Sequence, residues 1–153
     1  MRGSLRVIVP VLESFCVDRW CVIGSAAARL LGAAVSVADI DLLCSQRDAE
    51  TLMAHWVTQR DRGYAPAAAG RFRSHFARFD VAAMPVEVMG GLELCVAGVW
   101  QAVQVDDLLM HEITGLRVPI PTVAEQIRML TSFGRPKDDA RAAVLRQLEI
   151  SPC

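Results

Sequence analysis

The chain has 153 residues, 53% hydrophobic and 22% charged, with 16 basic side chains against 17 acidic ones and a formal net charge of -1. That length suits one domain, and that apolar fraction supplies a core, which excludes an intrinsically disordered chain. The near balance of charge excludes a whole-molecule field that would draw in duplex DNA or an anionic membrane, so any polyanion has to be met locally.

Five cysteines, Cys16, Cys21, Cys44, Cys95 and Cys153, form no C-x-x-C pair and sit mostly in apolar runs. They read as reduced, buried thiols of a cytoplasmic protein rather than as zinc ligands or disulfides. The N-terminal run LRVIVPVLESF is too short to span a bilayer, contains Pro10 and Glu13, and lacks a small-residue cleavage site. Neither a membrane partner nor a secretory signal is expected.

In chain order, residues 4–16 read as a helix or as an amphipathic segment interrupted by Pro10. A short strand, WCVI, then ends at Gly24-Ser25. Ala26 to Leu31 forms a helix that Gly32 stops. VSVADIDLLC reads as a second strand, followed by a helix from Asp48, its expected cap, to about Trp56. Residues 63–70 form a loop. The segments 71–80 and 80–89 pair as a hairpin, with Gly90-Gly91 ending the second strand. Leu92 to Val105 supplies one or two further short strands. Asp106-Asp107 is expected to start or cap a short helix, and VPIP to break the chain. Thr122 caps a helix from Val123 to Phe133 that Gly134 ends, and Pro136 opens a last helix to about Leu148. The expected organisation is a single domain, 1–153, with an α/β core over about 1–105 and a helical part over about 106–153.

The chemistry concentrates in VIGSAAARLLGAAVSVADIDLL. Side chains at i and i+2 of a strand share a face, so Asp39 and Asp41 point the same way. Two adjacent carboxylates repel, and such a pair persists where a cation or a shared proton neutralises it. Glu87, in PVEVMGG, adds a third acid from another strand. Oxygen donors of this kind suit Mg²⁺, or the similarly hard Mn²⁺. The Gly24-Ser25 turn supplies a flexible backbone position, a hydroxyl and helix-terminal amides that can hold a phosphate. A phosphate grip beside a metal site is what phosphoryl or nucleotidyl transfer requires. His55, His75 and His111 are isolated and lack metal spacing. Arg71, Arg73 and Arg78 read as a solvated hairpin face, with an acceptor cleft as the alternative.

GSAAARLLG followed by ADIDLL and VEV resembles the DNA polymerase β-like nucleotidyltransferase superfamily, in particular its small bacterial members. The resemblance covers about residues 20–90, and GRPKDDARAAVLRQL is similar to the C-terminal helix of such proteins. It implies an α/β fold, a mixed β-sheet flanked by helices, with an NTP donor and two Mg²⁺ ions. Asp39 and Asp41 would bind both metals. Glu87 would complete the second site and help deprotonate the acceptor hydroxyl. Gly24 and Ser25 would hold the β- and γ-phosphates, and Arg135 or Lys137 would supply the positive charge for which relatives carry a lysine in the region that here reads Met129-Leu130-Thr131. The acceptor class, a small molecule, RNA or protein, stays open, as does assembly with a second copy or a partner protein. The alternative function is a catalytically degenerate nucleotide- or partner-binding member, for example a toxin-antitoxin component.

Overall fold

The computed structural model describes residues 1–66 and 70–150. Ala67 to Ala69, within the expected loop, and Cys153 lie outside the described residues. The elements run α1 (Arg2–Phe15), β1 (Cys21–Ile23), α2 (Gly24–Leu30), β2 (Ile40–Cys44), α3 (Gln46–His55), β3 (Arg60–Asp61), β4 (Phe72–Phe79), β5 (Val86–Val96), β6 (Val99–Ala102), β7 (Leu108–Ile113), β8 (Leu116–Pro121), α4 (Val123–Phe133) and α5 (Pro136–Ile150). The first five strands line up as β1-β2-β5-β4-β3, with β6 also on β5, while β7 and β8 form a separate ribbon. β2 and β5 run parallel and the other pairs antiparallel. This is the expected mixed sheet flanked by helices, with a helical C-terminal part.

In α1 the buried residues Leu5, Ile8, Val9 and Leu12 recur with helical spacing, which packs one face onto the core despite Pro10 inside the helix. Pro10 has no amide hydrogen for the preceding turn, and its own carbonyl accepts a 2.7 Å bond from the Ser14 hydroxyl. The second strand is shorter than VSVADIDLLC suggested, starting only at Ile40. The ladder begins where β5 offers a partner, with the Ile40 amide donating to the Pro85 carbonyl at 2.9 Å. Asp39 thus sits just before the strand.

α3 is capped by Ser45, whose Oγ accepts from the Asp48 amide at 3.1 Å, and not by Asp48 itself. The buried Asp48 carboxylate instead accepts from the Val17 and Asp18 amides at 3.1 and 2.8 Å, tying α3 to the turn between α1 and β1. The expected hairpin is β4 and β5, but Gly90-Gly91 do not end β5. A side chain at Gly90 would overlap the Ala49 Cβ of α3, so glycine lets the strand pass beneath the helix. Gly91, at φ +58, lies where the pairing shifts register between Arg73 and His75.

The larger correction concerns residues 106–121. They hold no helix: β7 and β8 form a hairpin turning at Thr114-Gly115, both with positive φ. Pro119 and Pro121 lack donors yet fit β8, which is bonded to β7 alone. Asp106 and Asp107 brace the start of α4: the Asp106 amide donates to Glu125 at 2.8 Å, and the Asp107 carboxylate accepts from the Thr122 hydroxyl at 3.0 Å. Ile113, Val118 and Ile120 join the same core as α1 and the main sheet. The final helices follow the sequence reading, with Thr122 as N-cap and Gly134 left-handed at φ 59. Among the described residues no helix is long and apolar enough to cross a membrane.

Candidate active site

Strand register builds the site. Ile23 lies opposite Asp41, Asp41 opposite Glu87, Glu87 opposite Arg78, and Arg78 opposite Asp61. Directly paired residues project from the same face of a sheet, so four charged side chains form one row across β2, β5, β4 and β3. Asp39, two positions before Asp41, joins that face from the end of the preceding loop. The acidic end of the row, Asp41 and Glu87, opens into a cavity of about 650 Å³ that Gly24, Ser25, Asp39, Asp41, Glu87 and Lys137 all line. All six sequence-predicted residues are thus brought together.

The electrostatics of the row are uneven. Burial, then the neighbouring Asp39 and Glu87 charges, push the Asp41 carboxyl up to about 7, while Arg141 and Lys137 pull it down less strongly. No side chain lies between Asp41 and Gly24, because a Cβ on Gly24 would overlap the carboxylate oxygen. Gly24 also adopts φ +67, where other residues are strained, so this position requires glycine twice over. Glu87 is buried and accepts a 2.6 Å bond from Arg78, whose guanidinium also lies 3.6 Å from Asp39. Tyr64 covers the guanidinium, with its ring centroid 4.2 Å from the Arg78 Cζ.

Sequence reasoning missed Arg78, placing it on a solvated face, whereas its side chain is only 18% exposed. A signal was present: pairing Ala77 and Phe79 with Val88 and Val86 puts Arg78 opposite Glu87. Arg73 also lines the cavity, beside its salt bridge to Glu93, and Arg71 is exposed.

The far wall of the cavity is apolar, with Phe72, Phe76, Met89, Met129, Leu130 and Phe133. Phe72 and Phe133 meet edge-on at 5.0 Å, and Arg135 lies over Phe72 at 4.8 Å while clamping the buried Asp138 through two nitrogens. Arg135 is therefore engaged, and the exposed Lys137 supplies the more available charge. Gln126 donates to the Pro121 carbonyl at 3.0 Å, which leaves its buried Oε1 without a partner among the described residues.

Among the described residues no three His, Cys, Asp or Glu side chains converge closely enough to hold a metal ion. Glu87 is bonded to Arg78. Asp39 and Asp41 nonetheless fit a hard divalent cation: both are oxygen donors, and mutual repulsion with burial leaves Asp41 short of compensating charge.

No protein-family model matches the sequence, and a search of curated proteins finds no match. Solved structures do resemble it. TM1012 of Thermotoga maritima, provisionally assigned as a nucleotidyltransferase, superposes with a TM-score of 0.71 at 20% identity over 96% of this chain and 93% of its own. The lincosamide antibiotic adenylyltransferase LnuA, solved with lincomycin bound, gives 0.63 at 10% identity over 97% and 98%. ANT(2")-Ia in complex with adenylyl-2"-tobramycin gives 0.56 at 9% identity over 95% and 91%. With the mixed sheet and flanking helices matched almost end to end, the chain has a nucleotidyltransferase-like fold.

Proposed function

We propose that the protein transfers an NMP from an NTP to an acceptor hydroxyl. The observation that carries this reading is the row itself: Asp41 and Glu87 are paired on adjacent strands, with Asp39 on the same face, beneath a cavity that the Gly24-Ser25 turn also lines. A divalent cation, Mg²⁺ or Mn²⁺, would when bound supply charge to neutralise the polyphosphate and polarise the reacting phosphorus. Asp39 and Asp41 would hold it, with Glu87 beside them on the adjacent strand and bonded to Arg78. Gly24 and Ser25 take the β- and γ-phosphates, and Lys137 adds charge from the rim. Glu87 helps remove the acceptor proton. The acceptor oxygen forms a bond to the α-phosphorus, the bond from that phosphorus to the bridging oxygen breaks, and pyrophosphate leaves.

The test is incubation of the full chain with each α-phosphate-labelled NTP and Mg²⁺ or Mn²⁺, with and without cell extract as an acceptor pool. Label transfer that disappears in Asp39→Asn supports the reading. Nucleotide binding without label under any of these conditions refutes it and favours the second reading, a nucleotide- or partner-binding protein such as a toxin-antitoxin component. Two observations favour that second reading: Arg78 already neutralises Glu87, and Leu130 presents an apolar side chain to the cavity.

A further inference from the structure

We propose that a second recess, at the edge formed by β3 and β4, binds a phosphate group of the acceptor, so that the substrate of the transfer is a phosphate-bearing molecule. The inference rests on the transfer reading above and deepens it. The recess has a volume of about 300 Å³ and is lined by Arg60, Arg62 and Arg78 together with Asp61, Tyr64 and Phe76. Tyr64 and Phe76 also line the main cavity, so the two spaces share a wall.

Arg60 and Arg62 line the recess beside one carboxylate, Asp61, which accepts from the Gly63 amide at 3.0 Å, while Arg78, which also lines it, is bonded to Glu87 on its other side. Among the described residues neither Arg60 nor Arg62 forms a salt bridge. In a chain of net charge -1 this is a local concentration of positive charge. Guanidinium forks match the oxygens of a phosphate, which they bind through paired charge-assisted hydrogen bonds.

Position separates this recess from the donor end. Gly24 and Ser25 follow β1, and the charges of Lys137 and Arg141 act on Asp41 of β2. The recess lies at the opposite end of the order β1-β2-β5-β4-β3. At about 4.8 Å between neighbouring strands, β3 is about 10 Å from Glu87 on β5. An in-line displacement needs the attacking hydroxyl opposite the departing pyrophosphate. A hydroxyl at Glu87 with a phosphate on the same molecule within about 10 Å reaches both places.

The test is a titration of the isotope-labelled full chain with inorganic phosphate at constant ionic strength in EDTA, followed by amide chemical shifts. Saturable shifts centred on residues 60–64 and 76–78, weakened at least tenfold in Arg60→Gln with Arg62→Gln and retained in Lys137→Gln, support the recess. Shifts confined to Gly24, Ser25 and residues 136–141, or equal affinity in the double variant, overturn it. A parallel titration with a non-hydrolysable NTP and Mg²⁺ keeps the two readings apart. Failure of the NTP arm alone counts against the transfer function, and failure of the phosphate arm alone counts against the recess. A nucleoside 3′-monophosphate and a short oligoribonucleotide then identify the source. Tighter binding of one of them at residues 60–64, abolished in the double variant, assigns the phosphate to a small molecule or to a nucleic acid.

Discussion

Replacing Asp41 by asparagine should stabilise the metal-free protein, increasingly so as pH rises. The wild-type carboxyl titrates near 7 in the fold, against 3.8 for an ordinary aspartate, because burial and the Asp39 and Glu87 charges disfavour its ionised form. A raised carboxylate pKa means that the folded state holds a proton which the unfolded chain has released. Stability is therefore fully present below about pH 4 and is lost progressively up to about pH 7. The shift of about three units corresponds to at most about 4 kcal/mol above pH 7. Of this, about 2 to 3 kcal/mol develops between pH 5 and pH 8, and relaxation of the cluster lowers the realised value. Asparagine keeps the shape against Gly24 but carries no charge. Thermal unfolding in EDTA at pH 5, 6, 7 and 8 reads the difference, with the advantage of Asp41→Asn widening by several degrees across the series. Added Mg²⁺ should narrow it at pH 8 by engaging the wild-type carboxylate. An advantage that stays constant or shrinks with rising pH would refute the argument, as would a variant less stable than wild type at pH 8.

Glu87→Gln should retain NTP affinity within several-fold while transfer falls by about 10²-fold or more, measured as pyrophosphate release at saturating NTP. Equal turnover would remove Glu87 from the chemistry. Gly24→Ala should cost about 2 kcal/mol or more in urea unfolding, from positive φ and overlap with the Asp41 carboxylate; an unchanged midpoint would contradict that close approach. Asp48→Ala strips the acceptor from two backbone amides and should cost about 3 kcal/mol by the same measurement, with NTP affinity measured on the remaining folded protein unchanged.

The candidate site was legible to the extent that its residues lie in local patterns. Gly24-Ser25 and the Asp39/Asp41 spacing are short-range signals, and α4 carries its own cap residues at both ends, Thr122 and Gly134. Arg78 was illegible one residue at a time because its environment comes from across the hairpin, where Glu87 accepts its hydrogen bond. The β7–β8 ribbon was hidden for a related reason. Its prolines look like breaks until β8 is seen to bond only to β7, and its turn residues Thr114-Gly115 are a weaker cue than Asn-Gly. Gly90 read as a stop because glycine usually weakens a strand, whereas here the space it leaves is taken by α3. Each miss is a case in which tertiary contact decided what the local sequence left ambiguous.

Strand β4 carries a consequence for how the cleft can deform. Near one end it places Arg78 among the carboxylates, and at the other it places Phe72 against Phe133 of α4 and beneath Arg135, which in turn grips Asp138 of α5. A single strand thus links the carboxylate row, through α4 and Arg135, to α5, the helix that carries Lys137 and Arg141. Tilting α4 outward would separate the two phenylalanine rings and also break its packing on α2 and β8. The floor of the cleft at Arg78 and its rim at Phe72 are thus two parts of one strand.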